Sequence, residues 1–161
     1  MTDGCAIGPK SPPVILAADD SEDDRFMFAQ AVSKAQLNAT LHVLPSGDRA
    51  VAMLNLLLSR EELPLLCFLD VKMPGMDGFD VLRWIRLRSE LKRMPVIMLS
   101  SSDDPSDIRR AVAGGAQCYL RKNATISDLR TVLEYAEQVA SGLPRSPLAR
   151  IECQRNLMCM M

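Results

Sequence analysis

Four places in this 161-residue chain put side chains able to do chemistry directly behind a short apolar run. Asp19-Asp20 follows VILAA (14–18), Asp70 follows LLCFL (65–69), Ser100-Ser101-Ser102 follows PVIML (95–99), and Lys122 follows QCYLR (117–121). Taken singly, each has an ordinary explanation. An acidic pair before Ser21 favours a helix N-terminus, serines after a strand are commonly turn residues, and a lone lysine is commonly solvated. Taken together they are harder to dismiss, because each falls at the same end of a different run. Three carboxylates in one cleft repel one another. A hard divalent cation offsets that repulsion, and Mg²⁺ in particular binds through one or two carboxylates while keeping waters and phosphate oxygens. Lys122 adds a fixed positive charge, and a hydroxyl can donate a hydrogen bond. Metal, ammonium and hydroxyl suit a phosphoryl group, whose transfer needs positioning and charge stabilisation more than covalent help. A carboxylate can itself be the nucleophile, giving an aspartyl phosphate. Asp70 is the best candidate, being central and followed by Met73-Pro74-Gly75, which bends the chain back over the site.

Something must bring these ends together. With TLHVL (40–44) the apolar runs number five, and the middle ones lack clean polar alternation, as expected of parallel strands covered on both faces. The segments between them have helical spacing. Ile126, Leu129, Leu133, Ala136 and Ala140 share one face of the last, and Phe79, Leu82 and Ile85 share one face of the third. Ser21 with Asp24 reads as a capping box. Ser46, Asp77 and Asp104 read as caps, with Pro105 suited to a first helical position. Gly114-Gly115 stops the fourth helix, and Ser127 with Asp128 helps start the fifth. A β-α unit repeated five times predicts an α/β fold: a flavodoxin-like (βα)5 doubly wound parallel sheet in the order 2-1-3-4-5, with right-handed crossovers. Ligands bind such sheets at the carboxyl ends of the strands, where the first and third are neighbours. Asp70 stands at that crevice.

Composition narrows the rest. Hydrophobic residues make up 48% and charged residues 24%, with a net charge of -1, so nothing points to nucleic acid or to an anionic membrane surface. No stretch approaches a membrane span, and MTDGCAIGPKSPP has no apolar h-region, so secretion is not expected. The five scattered cysteines form no C-x-x-C pair and read as free thiols in a reducing cytosol. The single histidine, His42, reads as a strand residue. Residues 1–13 form an extension, 14–142 the domain and 143–161 a tail, which is too short for a helix-turn-helix output domain.

DD (19–20), D-V-K-M-P-G-M-D-G (70–78), S-S (100–101) and Y-L-R-K (119–122) together resemble the receiver domains of two-component response regulators, over roughly residues 14 to 142. The resemblance implies a set of roles. Asp70 accepts a phosphoryl group from a sensor histidine kinase or a phosphotransfer protein. Asp20, Asp70 and the main-chain carbonyl of Lys72 bind Mg²⁺, with Asp19 assisting, often through water. Ser100 is the switch hydroxyl that turns toward the phosphoryl group, with Ser101 beside it, and Lys122 pairs with phosphate. Tyr119 is the aromatic switch residue, although an ordinary half-buried strand tyrosine is the alternative. The resemblance further implies self-dephosphorylation, tuned by the side chains of Lys72 and Ser102, a cytoplasmic location, and output by protein–protein contact with a downstream partner. Self-association would run through the fourth and fifth helices or the tail. Enzymatic turnover of an outside substrate is not implied.

In one respect the chain departs from that pattern. The family usually has Lys-Pro, often with a cis bond, and here Lys122 is followed by Asn123. A cis bond before a non-proline costs about 2.5–4 kcal/mol, so both isomers are open. With D-D-S-E-D-D-R at 19–25 and no output domain, this makes the chain similar to the stand-alone receivers that partner bacterial phytochrome-type kinases. A phosphatase of the haloacid dehalogenase type would want a second Asp where Lys72 stands. Flavin or dinucleotide binding would want a phosphate-cradling loop after the first strand, where Asp19-Asp20 would repel it. The alternative kept open is a receiver-shaped interaction module that works without phosphorylation.

Overall fold

A computed structural model describes residues 11–102, 104–123, 125–142 and 157–159. Strands β1 (Val14–Ala18), β2 (Thr40–Leu44), β3 (Leu66–Asp70), β4 (Val96–Ser100) and β5 (Cys118–Arg121) alternate with helices α1 (Glu22–Lys34), α2 (Gly47–Ser59), α3 (Gly78–Arg86), α4 (Pro105–Gly114) and α5 (Ile126–Ala140). The five strands pair in parallel in the order 2-1-3-4-5, as the βα alternation requires. A sixth strand, β6 (Leu157–Cys159), runs antiparallel to β5, with Leu120 opposite Leu157 and Cys118 opposite Cys159. It lies in the stretch that the sequence assigns to a tail. An edge strand presents unpaired N–H and C=O groups, and β6 meets those of β5. Residues 1–10 and 143–156 lie outside the described residues.

Alternation along the strands divides the core in two. Leu16, Cys67, Leu69, Val96, Met98 and Tyr119 face the layer that contains Ala50, Leu54, Leu82, Ile85 and Ala111 of α2, α3 and α4. Ile15, Ala17, Phe68, Ile97, Leu99, Cys118 and Leu120 face Val32 of α1 and Leu129, Val132, Leu133 and Ala136 of α5. Phe28 of α1 meets Phe68 edge-on, ring centroids 4.9 Å apart. Cys67 and Cys118 are buried and in no disulfide, and burial pushes the Cys67 thiol up to about 12.

Helix starts follow the short polar residues. Ser46 accepts the Arg49 N–H, Asp77 and Asp80 form a reciprocal capping box, Asp104 accepts the Ser106 N–H, and Gly115 ends α4 at φ 83°. Two starts differ from the sequence reading. Thr125, rather than Ser127, caps α5, in a reciprocal box with Asp128. Ser127 sits inside the first turn, its carbonyl accepting from the Thr131 hydroxyl. At α1, Ser21 accepts the Asp24 N–H at 3.3 Å, but Asp19 Oδ1 takes the Ser21 N–H at 2.9 Å, so the other half of the box goes to Asp19 and not to Asp24.

At the amino ends of the strands, Arg86 closes α3 onto the sheet. It donates to the Met94 carbonyl at 2.9 Å, to the Gly115 carbonyl at 2.9 and 3.1 Å, and to Gln117 Oε1 at 2.9 Å. Gln117 Oε1 also accepts the Val96 N–H at 2.8 Å, so one side-chain pair ties together β4, the approach to β5, and α3.

Candidate functional site

At the opposite, carboxyl ends, ladder bonds continue one residue past the strands. The Asp19 N–H donates to Leu44 O, Val71 N–H to Leu99 O, and Lys122 N–H to Ser100 O. The ends therefore stay level and side-chain alternation continues. Asp19, Asp70 and Lys122 fall in step with Ile15, Phe68 and Leu120, toward the α1 layer.

Three carboxylates meet there. One oxygen from each of Asp19, Asp20 and Asp70 lies within 4.8 Å of the other two. Asp19 and Asp70 are buried, while Asp20 is exposed. Burial first, and the Asp19 charge second, push the Asp70 carboxyl up to about 6, against the pull of Lys122 and of the Lys72 N–H. An all-oxygen donor set in which crowding raises the proton affinity of the central carboxylate, Asp70, is what a hard divalent cation fits. Asp19, Asp20 and Asp70 could hold one.

Lys122 Nζ lies 3.2 Å from Asp70 Oδ2 and 2.9 Å from Asp19 Oδ2. The Lys122–Asn123 bond, open in the sequence, is trans, since the described residues contain no cis peptide. The lysine reaches the acceptor without a following proline. Burial disfavours its charge, but hydrogen bonds to Asp24 and Asp19 and the charges of Asp70 and Asp19 outweigh that and hold the ammonium well above its ordinary value. Asp24 is the partner that sequence reasoning misses. Its Oδ2 is 2.7 Å from Lys122 Nζ. The signal is present in the chain, because Asp24 stands one turn into the helix that follows Asp19-Asp20.

The other expected residues sit close by. The Lys72 N–H donates to Asp70 Oδ1 at 3.3 Å. Lys72 also walls, with Asp20, Met73, Asp77, Phe79 and Arg110, an open cleft of about 370 Å³. Ser100 is buried at the end of β4, and its oxygen accepts the Ser102 N–H at 3.0 Å, which leaves its own proton free to be donated. Ser101 is exposed just past the strand. Tyr119 is buried on the side of α2, α3 and α4, and its hydroxyl donates to the Ser102 carbonyl at 3.0 Å. Ser100 and Tyr119 thus both hold the loop at Ser102, one through its N–H and the other through its carbonyl.

Gly78 lets α3 start against the acceptor strand. A Cβ there would run into the Asp70 carbonyl oxygen and stand 3.0 Å from the Asp70 carbonyl carbon. Gly75, at φ 74°, turns the chain between them.

A family model described as the response regulator receiver domain matches residues 15–134. The chain belongs to that family. Among curated relatives, this receiver is 34% identical to two-component response regulator ORR3 of Oryza sativa subsp. indica, over 75% of its own length and 88% of the relative's. It is 30% identical to response regulator Rcp1 of Synechocystis sp., over 78% and 87%. Among solved structures it is similar to the bacteriophytochrome response regulator AtBRR, with TM-score 0.68, 27% identity, and 83% and 94% of the two chains covered. Rcp1 itself has been solved in a Mn(2+)-bound form, which the receiver matches with TM-score 0.63 and 29% identity over 79% and 93%. Relatives thus include phytochrome-associated response regulators. Among the described residues, no helix is long and apolar enough to cross a membrane.

Proposed function

We propose that this receiver is a stand-alone response regulator of the phytochrome-partner kind, in which Asp70 accepts a phosphoryl group from a sensor histidine kinase or a phosphotransfer protein. The observation that carries this reading is the buried Asp70 carboxylate, held 3.2 Å from a fixed ammonium and beside two further carboxylates. Similarity to response regulators supports the reading, since the receiver matches ORR3 over 88% and Rcp1 over 87% of their lengths.

In the transfer, one Asp70 oxygen bonds to phosphorus as the donor's bond to phosphorus breaks and the leaving group departs with the electron pair. Asp19, Asp20, Asp70 and the Lys72 main-chain carbonyl would hold Mg²⁺. When bound, the ion spreads the negative charge of the phosphoryl oxygens. Lys122 exchanges a carboxylate contact for a phosphoryl oxygen, and the Ser100 hydroxyl, with Ser101 beside it, donates to another. Movement of Ser100 shifts the loop that Tyr119 holds, which changes the face formed by α4, β5 and α5. Water then hydrolyses the acyl phosphate, at a rate set by the side chains of Lys72 and Ser102 flanking the acceptor. The product of all this is a binding state, read by a downstream protein in the cytoplasm. Nucleic acid and membrane take no part. The C-terminal segment 143–161 contributes to self-association or target binding through this face, since its Leu157–Cys159 pairs with β5. Unchanged solution mass and partner binding after truncation following Gly142 would overturn that part.

The test of the central reading is intact mass after incubation with acetyl phosphate, with and without Mg²⁺. One added phosphoryl group is expected, dependent on Mg²⁺ and lost in Asp70→Asn. No addition under either condition would leave the phosphorylation-independent interaction module as the function.

A further inference from the structure

An ammonium has three N–H groups, and three carboxylates surround the one on Lys122. Its shortest contact, 2.7 Å, is to Asp24, the one partner outside the acidic cluster. The others are Asp19 at 2.9 Å and Asp70 at 3.2 Å. Asp24 can reach Lys122 because it is not engaged at its own helix start. Asp19 Oδ1 already accepts the Ser21 N–H that a reciprocal cap would have used.

We propose that Asp24 is a positioning residue for Lys122, engaging one of its three N–H groups on the α1 side so that no more than one is left for each of the Asp19 and Asp70 oxygens that a divalent cation uses. The inference rests on the phosphoacceptor reading above. A lysine placed against two carboxylates competes with any cation for the same lone pairs. Asp24, 42% exposed and anchored at the start of α1, offers that lysine a third carboxylate outside the cation's reach. Without it, the released N–H turns to Asp19 or Asp70 and the cation loses ground. Asp24 thereby allows one short-range site to contain both a fixed ammonium and an exchangeable cation.

The test is calorimetric titration of Mg²⁺ into the full chain and into Asp24→Asn, Asp23→Asn, Lys122→Met and the Asp24→Asn/Lys122→Met double variant. Asn preserves the size of the side chain and the backbone N–H that Ser21 caps, so folding is retained. Asp24→Asn is expected to weaken Mg²⁺ binding about tenfold, the scale of groups that orient a metal's neighbours. Asp23→Asn removes the same charge one residue away on the same helix and is expected to weaken binding less than about twofold, as a screened surface charge does. In the Lys122→Met background the Asp24 effect is expected to shrink to the Asp23 effect. Equal effects of Asp24→Asn and Asp23→Asn, or an Asp24 effect undiminished without the lysine, would overturn the inference while leaving the phosphoacceptor reading intact. A full chain that takes up no Mg²⁺ would overturn that reading and the inference with it.

Discussion

The Tyr119 hydroxyl donates to the Ser102 main-chain carbonyl at 3.0 Å, across the sheet edge from β5 to the loop that follows β4. Ser102 also donates its own N–H to Ser100, so a single residue joins the buried tyrosine to the buried serine. Tyr119→Phe keeps the ring and removes this bond, and is expected to cost roughly 1 kcal/mol in urea unfolding. Tyr119→Ala empties a fully buried site and is expected to cost about 3–5 kcal/mol, on the scale of aromatic deletions from a core. A Tyr119→Phe variant as stable as the parent would show that the bond does not restrain the loop.

Asp70 makes the metal-free protein sensitive to pH. Burial, then the Asp19 charge, raises its carboxyl from the ordinary 3.8 to about 6. The folded state therefore binds this proton more tightly than the unfolded chain. Its contribution to stability is fully present below about pH 4 and is lost as pH rises through about 6. Lys122, held above its ordinary 10.5, works in a higher window: its stabilisation is present below that value and fades above it. Urea midpoints in EDTA are expected to fall between pH 4 and pH 6.5 for the parent and to stay flat across that range for Asp70→Asn, with the variant more stable at pH 7 by on the order of 1–3 kcal/mol. A parent profile as flat as the variant's would contradict the crowding of carboxylates at this end of the sheet.

Mg²⁺ is expected to reverse that cost. Binding to the folded state alone raises stability by mass action, about 2.7 kcal/mol at a hundredfold excess over Kd. The increase should be present in the parent and much reduced in Asp70→Asn, which removes a charged ligand. Thermal unfolding with and without Mg²⁺ measures it, and equal stabilisation of both proteins would place the ion elsewhere.

Gly78→Ala forces a Cβ into the carbonyl of Asp70 itself. Backbone cannot yield as a flexible side chain can, so the start of α3 and the end of β3 must separate. A loss of roughly 2–4 kcal/mol is expected, at the upper end of single substitutions, together with loss of phosphoryl uptake at Asp70. Full stability would mean that the α3 start moves freely against the acceptor strand.

At the far end of the sheet, Arg86→Lys keeps the charge but has one nitrogen where the guanidinium reaches Met94, Gly115 and Gln117. Stranded carbonyls are expected to cost about 2 kcal/mol or more in denaturant unfolding, with phosphoryl uptake at Asp70 preserved because the damage lies at the amino ends. Loss of uptake at full stability would show that the two ends are coupled.

Much of the sheet is legible in the apolar runs. Those ending at Ala18, Leu44 and Arg121 close at the residues where β1, β2 and β5 end, whereas β3 and β4 extend one residue further, to take in Asp70 and Ser100. That extension has a physical cause: main-chain ladder bonds continue past the apolar side chains, as in Val71 to Leu99. Alternation, continued from Ile15, Phe68 and Leu120, also places Asp19, Asp70 and Lys122 on one side of the sheet, a placement available from spacing alone. The α5 start is harder to read, because Ser127 and Thr125 are both able caps, and only Thr125 has a carboxylate three residues on, Asp128, to return the bond.

The sequence by itself determined which groups gather at the crevice. Strand-ending Asp70, the Asp19-Asp20 pair, Ser100 and Lys122 are set by apolar periodicity and chain order, both local properties. It did not determine how those groups share their partners. Asp24 looks like half of a capping box, and it became an ion-pair partner of a lysine 98 residues away only because Asp19 reached the Ser21 N–H first. The isomer of the Lys122–Asn123 bond and the pairing of Leu157–Cys159 with β5 were likewise decided in three dimensions. Each is a competition among donors and acceptors that lie far apart in the chain, and its outcome depends on distances that only the assembled sheet and helices create.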